Sequence, residues 1–214
     1  MHRFKTSTWH TLAALGVLLG ILSTTSQAAD VTWVGPQSGA WNEAANWSGG
    51  SVPQPADSVT VSVATVTVND LVVLSGAFVL DGGAVLTVDG VNASFTATGS
   101  TSIEDARIRV LNGGQGSFPS LTSYIWRLGS NETLFDGDGV DSSLELSGLQ
   151  TITIDGTCSI TPPIRAINGG ALNLSALQGL VRPSGDGLRF EVVNGGTMNL
   201  AGLSSADGGA FSVD

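Results

Sequence analysis

One phrase recurs along this chain: Val110-Leu-Asn-Gly-Gly114, Ala166-Ile-Asn-Gly-Gly170 and Val193-Asn-Gly-Gly196, each followed by a short leucine-rich segment. A phrase repeated at a near-fixed interval points to a repeat architecture, in which each unit buries its apolar face only against its neighbours. Alignment of the copies places Phe118, Leu146, Leu174 and Leu200 in one column and Leu121, Leu149, Leu177 and Leu203 in another. Steps down the first column are 28, 28 and 26 residues, so a copy lacking Asn-Gly-Gly occupies residues 140–149.

Within the copies, Leu144-Glu-Leu146, Leu172-Asn-Leu174 and Met198-Asn-Leu200 alternate apolar with polar residues, which is the period of a half-buried strand. Helical spacing is missing, and 27 of the 29 glycines lie beyond residue 28, a composition that suits sharp turns and weakens helices. The unit is therefore expected to be strand, turn, strand. Two all-β architectures fit it. Asn-Gly between alternating runs is a strong hairpin signal and would give an array of antiparallel β-hairpins. Alternatively, each copy is a coil of a right-handed parallel β-helix, a β-solenoid in which equivalent positions stack about 4.8 Å apart. Leucine over leucine over leucine favours the solenoid, because stacked coils demand a constant repeat length and separate hairpins do not. Val59-Thr-Val61-Ser-Val63 and Val66-Thr-Val68 add two alternating strands, and Phe78-Val-Leu80-Asp-Gly-Gly-Ala-Val85 resembles an early copy of the unit. Residues 124–140 are the least regular and fit a loop inserted between coils, where repeat proteins often carry specificity.

Residues 1–28 have the form of a secretory signal peptide: Arg3 and Lys5, an apolar stretch over residues 12–22, then Ser26 and Ala28 before the expected cut. Eleven apolar residues are too few to span about 30 Å of hydrocarbon. The mature chain is expected to be secreted or held at the cell surface, with no membrane span. Removing Arg3 and Lys5 from the eight basic residues leaves six, all arginine, against 18 acidic ones, a formal charge of −12. Such a chain repels nucleic acid and anionic lipid. His2, His10 and Lys5, which complete the histidines and lysines of the sequence, also fall in the leader. The single cysteine, Cys158, can form no disulfide within the chain and has no histidine to activate it; a small buried residue is its simplest reading.

Residues 29–57 hold Thr32-Trp-Val-Gly35, Gly39-Ala-Trp-Asn42, Ala45-Asn-Trp-Ser48 and Val52-Pro-Gln-Pro-Ala-Asp57. An open solenoid exposes an apolar end and unpaired strand edges, and Trp33, Trp41 and Trp47 are placed to cover them. Stacking of sugars on the ring faces is the competing role for these tryptophans. This spaced Trp-Gly, Gly-x-Trp, Asn-Trp, Pro and Asp pattern, followed by valine alternation, resembles the start of bacterial secreted or surface β-solenoid proteins of the autotransporter-passenger or adhesin-like type. The resemblance is close over residues 31–68 and looser over the Asn-Gly-Gly repeats. It implies an extracellular β-helix and names no activity. The expected organisation is a leader (1–28), a cap (29–57) and a solenoid (58–214). The solenoid stops within a repeat, as expected of a piece of a longer protein.

Chemistry is sparse. Asp136-Gly-Asp138-Gly-Val-Asp141 sets three carboxylates in a glycine-rich turn, a candidate calcium site, although it matches neither the helix-loop-helix calcium pattern nor the β-roll nonapeptide. Glu104 and Asp105 are adjacent, so in a strand they face opposite sides and cannot pair as acid and base. Asp81, Asp155 and Asp186 each precede a glycine, as turns favour. Arg109 and Arg165 stand three residues before the Asn of their phrases and Glu191 takes that place in the next copy, so stacked coils would set Arg165 beside Glu191. Asn168 and Asn194 would likewise stack as a turn ladder. No catalytic or cofactor-binding residue is identified. The expectation is a non-enzymatic extracellular structural or adhesive module facing a polysaccharide or a surface protein; the alternative is the leading part of a secreted carbohydrate-active enzyme.

Overall fold

The computed structural model describes residues 27–156, 160–182, 187–204 and 209–213, the last five through their backbone alone. Residues 1–26, the bulk of the expected signal peptide, and Cys158 and Asp186 lie outside the described residues. Among the described residues twenty-one strands form three sheets of seven, eight and six strands, wound into an all-β solenoid of about six turns. One coil runs Thr101–Glu104 in the first sheet, Arg107–Leu111 in the second and Gln115–Ser117 in the third. The next lays Ser123–Trp126, Phe135–Asp138 and Ser143–Glu145 beside them. Every pairing among the described strands is parallel, which fits a right-handed β-helix, the hand that twisted parallel strands favour. The strand, turn, strand unit read from the sequence is thus two thirds of a coil.

The Asn-Gly-Gly phrase turns the corner from the second sheet to the third instead of closing a hairpin. Asn112, Asn168 and Asn194 have φ of 52°, 53° and 51°, and the glycines after them 87°, 86° and 76°. Positive φ at both central residues is the signature of a primed turn, and the Leu111, Ile167 and Val193 carbonyls accept from Gly114, Gly170 and Gly196 at 3.0, 2.9 and 3.1 Å. The second glycine has a separate reason. A Cβ at Gly170 would lie 2.2 Å from the Gly137 carbonyl oxygen, and one at Gly196 would lie 2.0 Å from that of Ala166. One glycine permits the turn and the other lets successive coils touch. Asp81-Gly-Gly-Ala84 uses the same chemistry at a different corner, between the first sheet and the second, so residues 78–85 are no early copy of the later phrase. The true equivalent of Asn112 in the preceding coil is Gly90, which follows Asp89 opposite Leu111.

Both leucine columns form. Phe118, Leu146 and Leu174 are buried and each donates its N–H to the following coil, to the Glu145, Asn173 and Asn199 carbonyls, at 2.9 Å. Leu121, Leu149, Leu177 and Leu203 then close back onto Phe118, Leu146, Leu174 and Leu200 at 3.2, 3.0, 3.0 and 3.0 Å. A ring stack of Phe78, Phe95 and Phe118 fills the early coils, with neighbouring centroids at 5.0 and 5.6 Å. The interior is therefore side chain from corner to corner. The strand Gly209–Val213 pairs beside Leu188–Val193 and sets Phe211 opposite Phe190.

At the amino-terminal end, Asp30–Thr32 and Ser38–Ala40 already belong to the first and second sheets. Where the third sheet would begin, the chain folds back so that Trp47 bridges antiparallel to Trp33, and the Thr32 carbonyl accepts from Ser48 at 2.8 Å. Trp47 packs edge-on to Trp33 and Trp41 at 5.0 and 4.6 Å and donates its indole N–H to the Trp41 carbonyl at 2.7 Å. Asn46 is buried between Gly35 and Gly39, where any Cβ would strike it at 2.5 and 2.8 Å. Asp57, also buried, accepts from the Ala29 and Gln54 amides at 2.8 and 2.7 Å. The spaced Trp-Gly, Gly-x-Trp, Asn-Trp and Pro-Asp motif is one interlocked plug over the end of the core. All three tryptophans are buried, so none offers a ring face for a sugar. Among the described residues no helix is long and apolar enough to cross a membrane.

Candidate functional site

The outward face of the second sheet gathers the charge that the core excludes. On strands whose apolar residues point inward, the alternate positions must point out: Arg107 and Arg109 on either side of Ile108, Asp136 after Phe135, Arg165 after Ile164, Arg189 and Glu191 around Phe190. Register pairs Arg109 with Asp136, Asp136 with Arg165, and Arg165 with Glu191. One column thus reads plus, minus, plus, minus on successive coils. The neighbour relation of Arg165 and Glu191 is the one the repeat spacing predicted. Asp136 as the partner of both Arg109 and Arg165 was not.

Asp136 sits between the two guanidiniums, with Arg109 Nε at 3.5 Å from Oδ2 and Arg165 Nε at 3.5 Å from Oδ1. Its residue is only 2 % exposed, and its Oδ1 and the Arg165 Nε make ion contacts without hydrogen-bond geometry. Burial pushes its carboxyl above the usual carboxylate range, against the opposing pull of Arg165 and Arg109. Further along, Glu191 holds Arg189 at 2.6 Å and Arg165 at 3.8 Å. Beside the column, Glu132 from the stretch between Ser123–Trp126 and Phe135–Asp138 reaches Arg107 at 2.8 Å. The irregular residues 124–140 thus comprise two regular strands around a short connection, from which Glu132 reaches the flank of this face.

The three carboxylates of the calcium candidate are held apart. Asp136 lies among arginines, whose charge opposes a cation. Asp138 accepts from Asn168 Nδ2 at 2.8 Å, and Asp141 occupies the corner at φ 64°. Among the described residues no three His, Cys, Asp or Glu side chains come together to hold a metal ion. Glu104 and Asp105 do not face opposite sides either. The strand ends at Glu104, Asp105 turns left-handed at φ 51°, and both carboxylates hold Arg127, each at 3.1 Å from Nη1.

The asparagine corner forms its ladder, with Asn194 Nδ2 donating to Asn168 Oδ1 at 3.0 Å and Asn112 Nδ2 to Asp89 Oδ1 at 2.7 Å. A recess of about 170 Å³ lies between Trp41, Pro53 and Pro55 of the plug and the Leu71–Leu74 strand, below the roughly 300 Å³ at which ligand pockets usually begin. Chemically, the charged face can fix guanidiniums and present them, and among the described residues it is where sign, spacing and burial coincide. Compared with family models, with curated proteins and with solved structures, the chain matches none.

Proposed function

We propose that this chain is an extracellular structural or adhesive β-solenoid module of the autotransporter-passenger or adhesin-like type, exported by residues 1–28 and without catalytic activity of its own. One observation carries the reading: the core is filled and the chemistry lies outside, as a charged column repeated on stacked coils. A filled rod holds a surface pattern at fixed spacing, which is what a binding or spacing module needs and what a cleft enzyme does not use. Beads coated with the purified chain should adhere to polysaccharide-coated or cell surfaces above albumin-coated beads; equal adhesion on every surface would sink the reading. Amino-terminal sequencing of the exported protein should begin at Ala29.

A second reading, part of a secreted carbohydrate-active enzyme, draws support from Asp136, a carboxyl held above its usual range beside two guanidiniums on a solenoid face. Release of reducing ends from a polysaccharide panel, abolished in Asp136→Asn, would favour it over the adhesive one.

A further inference from the structure

The geometry points to the outward face of the second sheet as a binding site for a linear carboxylate-bearing polysaccharide, gripped by Arg109, Arg165 and Arg189 with Arg107 at its flank. The inference rests on the adhesive reading and names its ligand class. Four of the six arginines beyond the leader stand on this face, in a segment whose formal charge is −12. Positive charge is therefore gathered on this patch, where an anionic ligand finds it concentrated.

The way these arginines are held matters more than their number. Asp136 and Glu191 engage Arg109, Arg165 and Arg189 through Nε, and among the described residues no hydrogen bond engages their Nη groups. Arg127 is the contrast: its Nη1 and Nη2 are both bound by Glu104. A guanidinium anchored through Nε presents its two Nη groups as a fork that fits a carboxylate in two parallel hydrogen bonds. The anchoring acids limit the side-chain freedom that binding would otherwise have to freeze.

Spacing then selects the shape of the ligand. Arg109 and Arg165 are separated by one intervening coil, roughly 9.6 Å at 4.8 Å per coil, and Arg189 lies one coil further. A compact anion meets one fork, whereas a chain with a carboxylate on each unit meets several. The axial order of the arginines thus favours a uronate polymer lying along the rod.

Affinity electrophoresis at low salt tests this with polygalacturonate, neutral dextran and polyglutamate in the gel. Retardation by polygalacturonate alone is expected. In Arg109→Lys/Arg165→Lys the positive charge beside Asp136 is kept and the fork is lost, so retardation should weaken about tenfold or more; Arg127→Lys should bind as wild type. Arg189→Lys repeats the test away from the buried carboxylate if the double variant melts early. No retardation by polygalacturonate, equal retardation by polyglutamate, or undiminished binding by a folded double variant would each overturn the assignment. Retardation by dextran alone would overturn it as well while leaving the adhesive reading intact, which the bead experiment judges independently.

Discussion

Along the inside of the solenoid Phe118, Leu146 and Leu174 repeat an apolar residue at successive coils, whereas along the outside of the second sheet Arg109, Asp136, Arg165 and Glu191 change sign at each coil. Both columns obey the same spacing, about 4.8 Å. An apolar side chain stacked on another removes surface from water on both sides, so identity is favoured. Two like charges at that distance repel by roughly 1 kcal/mol in water and about 3 kcal/mol at an effective dielectric of 20, so alternation is favoured. A parallel solenoid is thus legible twice, as sameness inside and as opposition outside. The asparagine corner falls between, because an amide is donor and acceptor at once and can stack on itself.

Emptying the inner column should have the largest effect. Leu146→Ala leaves a hole between coils above and below and should lower stability by about 2–5 kcal/mol, measured by urea unfolding with an unchanged slope. A loss below about 1 kcal/mol would mean that the column is not a continuous core. The two glycines of one corner separate next. Gly170→Ala drives a Cβ against the Gly137 backbone and should cost about 1–3 kcal/mol. Gly169→Ala meets Val140 no closer than 3.2 Å at its side chain and 3.3 Å at its Cα but sits at φ 86°, so about 1 kcal/mol is expected, chiefly from the left-handed backbone. Equal losses at both positions would contradict the division of labour between them.

How far the residues announced this fold depends on the column. Leu146, Leu174 and Leu200 could be aligned by eye because the inner rule is identity. Arg165 and Glu191 could be paired because Asn-Gly-Gly fixes the register on both coils. Asp136 could not, since its coil has Gly139-Val-Asp141 in place of the phrase; without that marker three nearby aspartates resemble a cation site. Asp105 was misplaced for a related reason, because strand alternation assigns opposite faces until a left-handed residue ends the strand. The plug was legible as a cover, but the role of Asn46, seated between Gly35 and Gly39, requires the fold-back that no local pattern declares.

Asp136 offers a test of the outer rule through pH. Its carboxyl is raised in the folded chain, chiefly by burial, so folding favours the protonated form. Stability from this group therefore increases as pH falls through the raised value and levels off below the unfolded value of about 3.9. In Asp136→Asn that increase should vanish, leaving a flatter profile over the same window in thermal melts from pH 7 to pH 4. A variant profile as steep as the wild type would assign the dependence to another group.

The smallest effect is expected where the alternation is most exposed. Glu191 is the last acid of the column and faces Arg165 at 3.8 Å and Arg189 at 2.6 Å. Glu191→Arg would set three guanidiniums together, yet all stand at the surface, where an ion pair contributes about 0–1 kcal/mol and salt screens the repulsion. Melting should fall by a few degrees at most at low salt, and the deficit should shrink toward zero at 1 M salt, where the screening length is about 3 Å. Restoring the alternation by Arg165→Glu in the same chain recovers the Glu191 contact with signs exchanged, but it also brings a second carboxylate against the buried Asp136. The double variant should therefore be less stable than either single one. If instead it returned to wild-type melting, the column would be a set of independent pairs, and Asp136 would no longer tie the upper and lower halves of the ladder together.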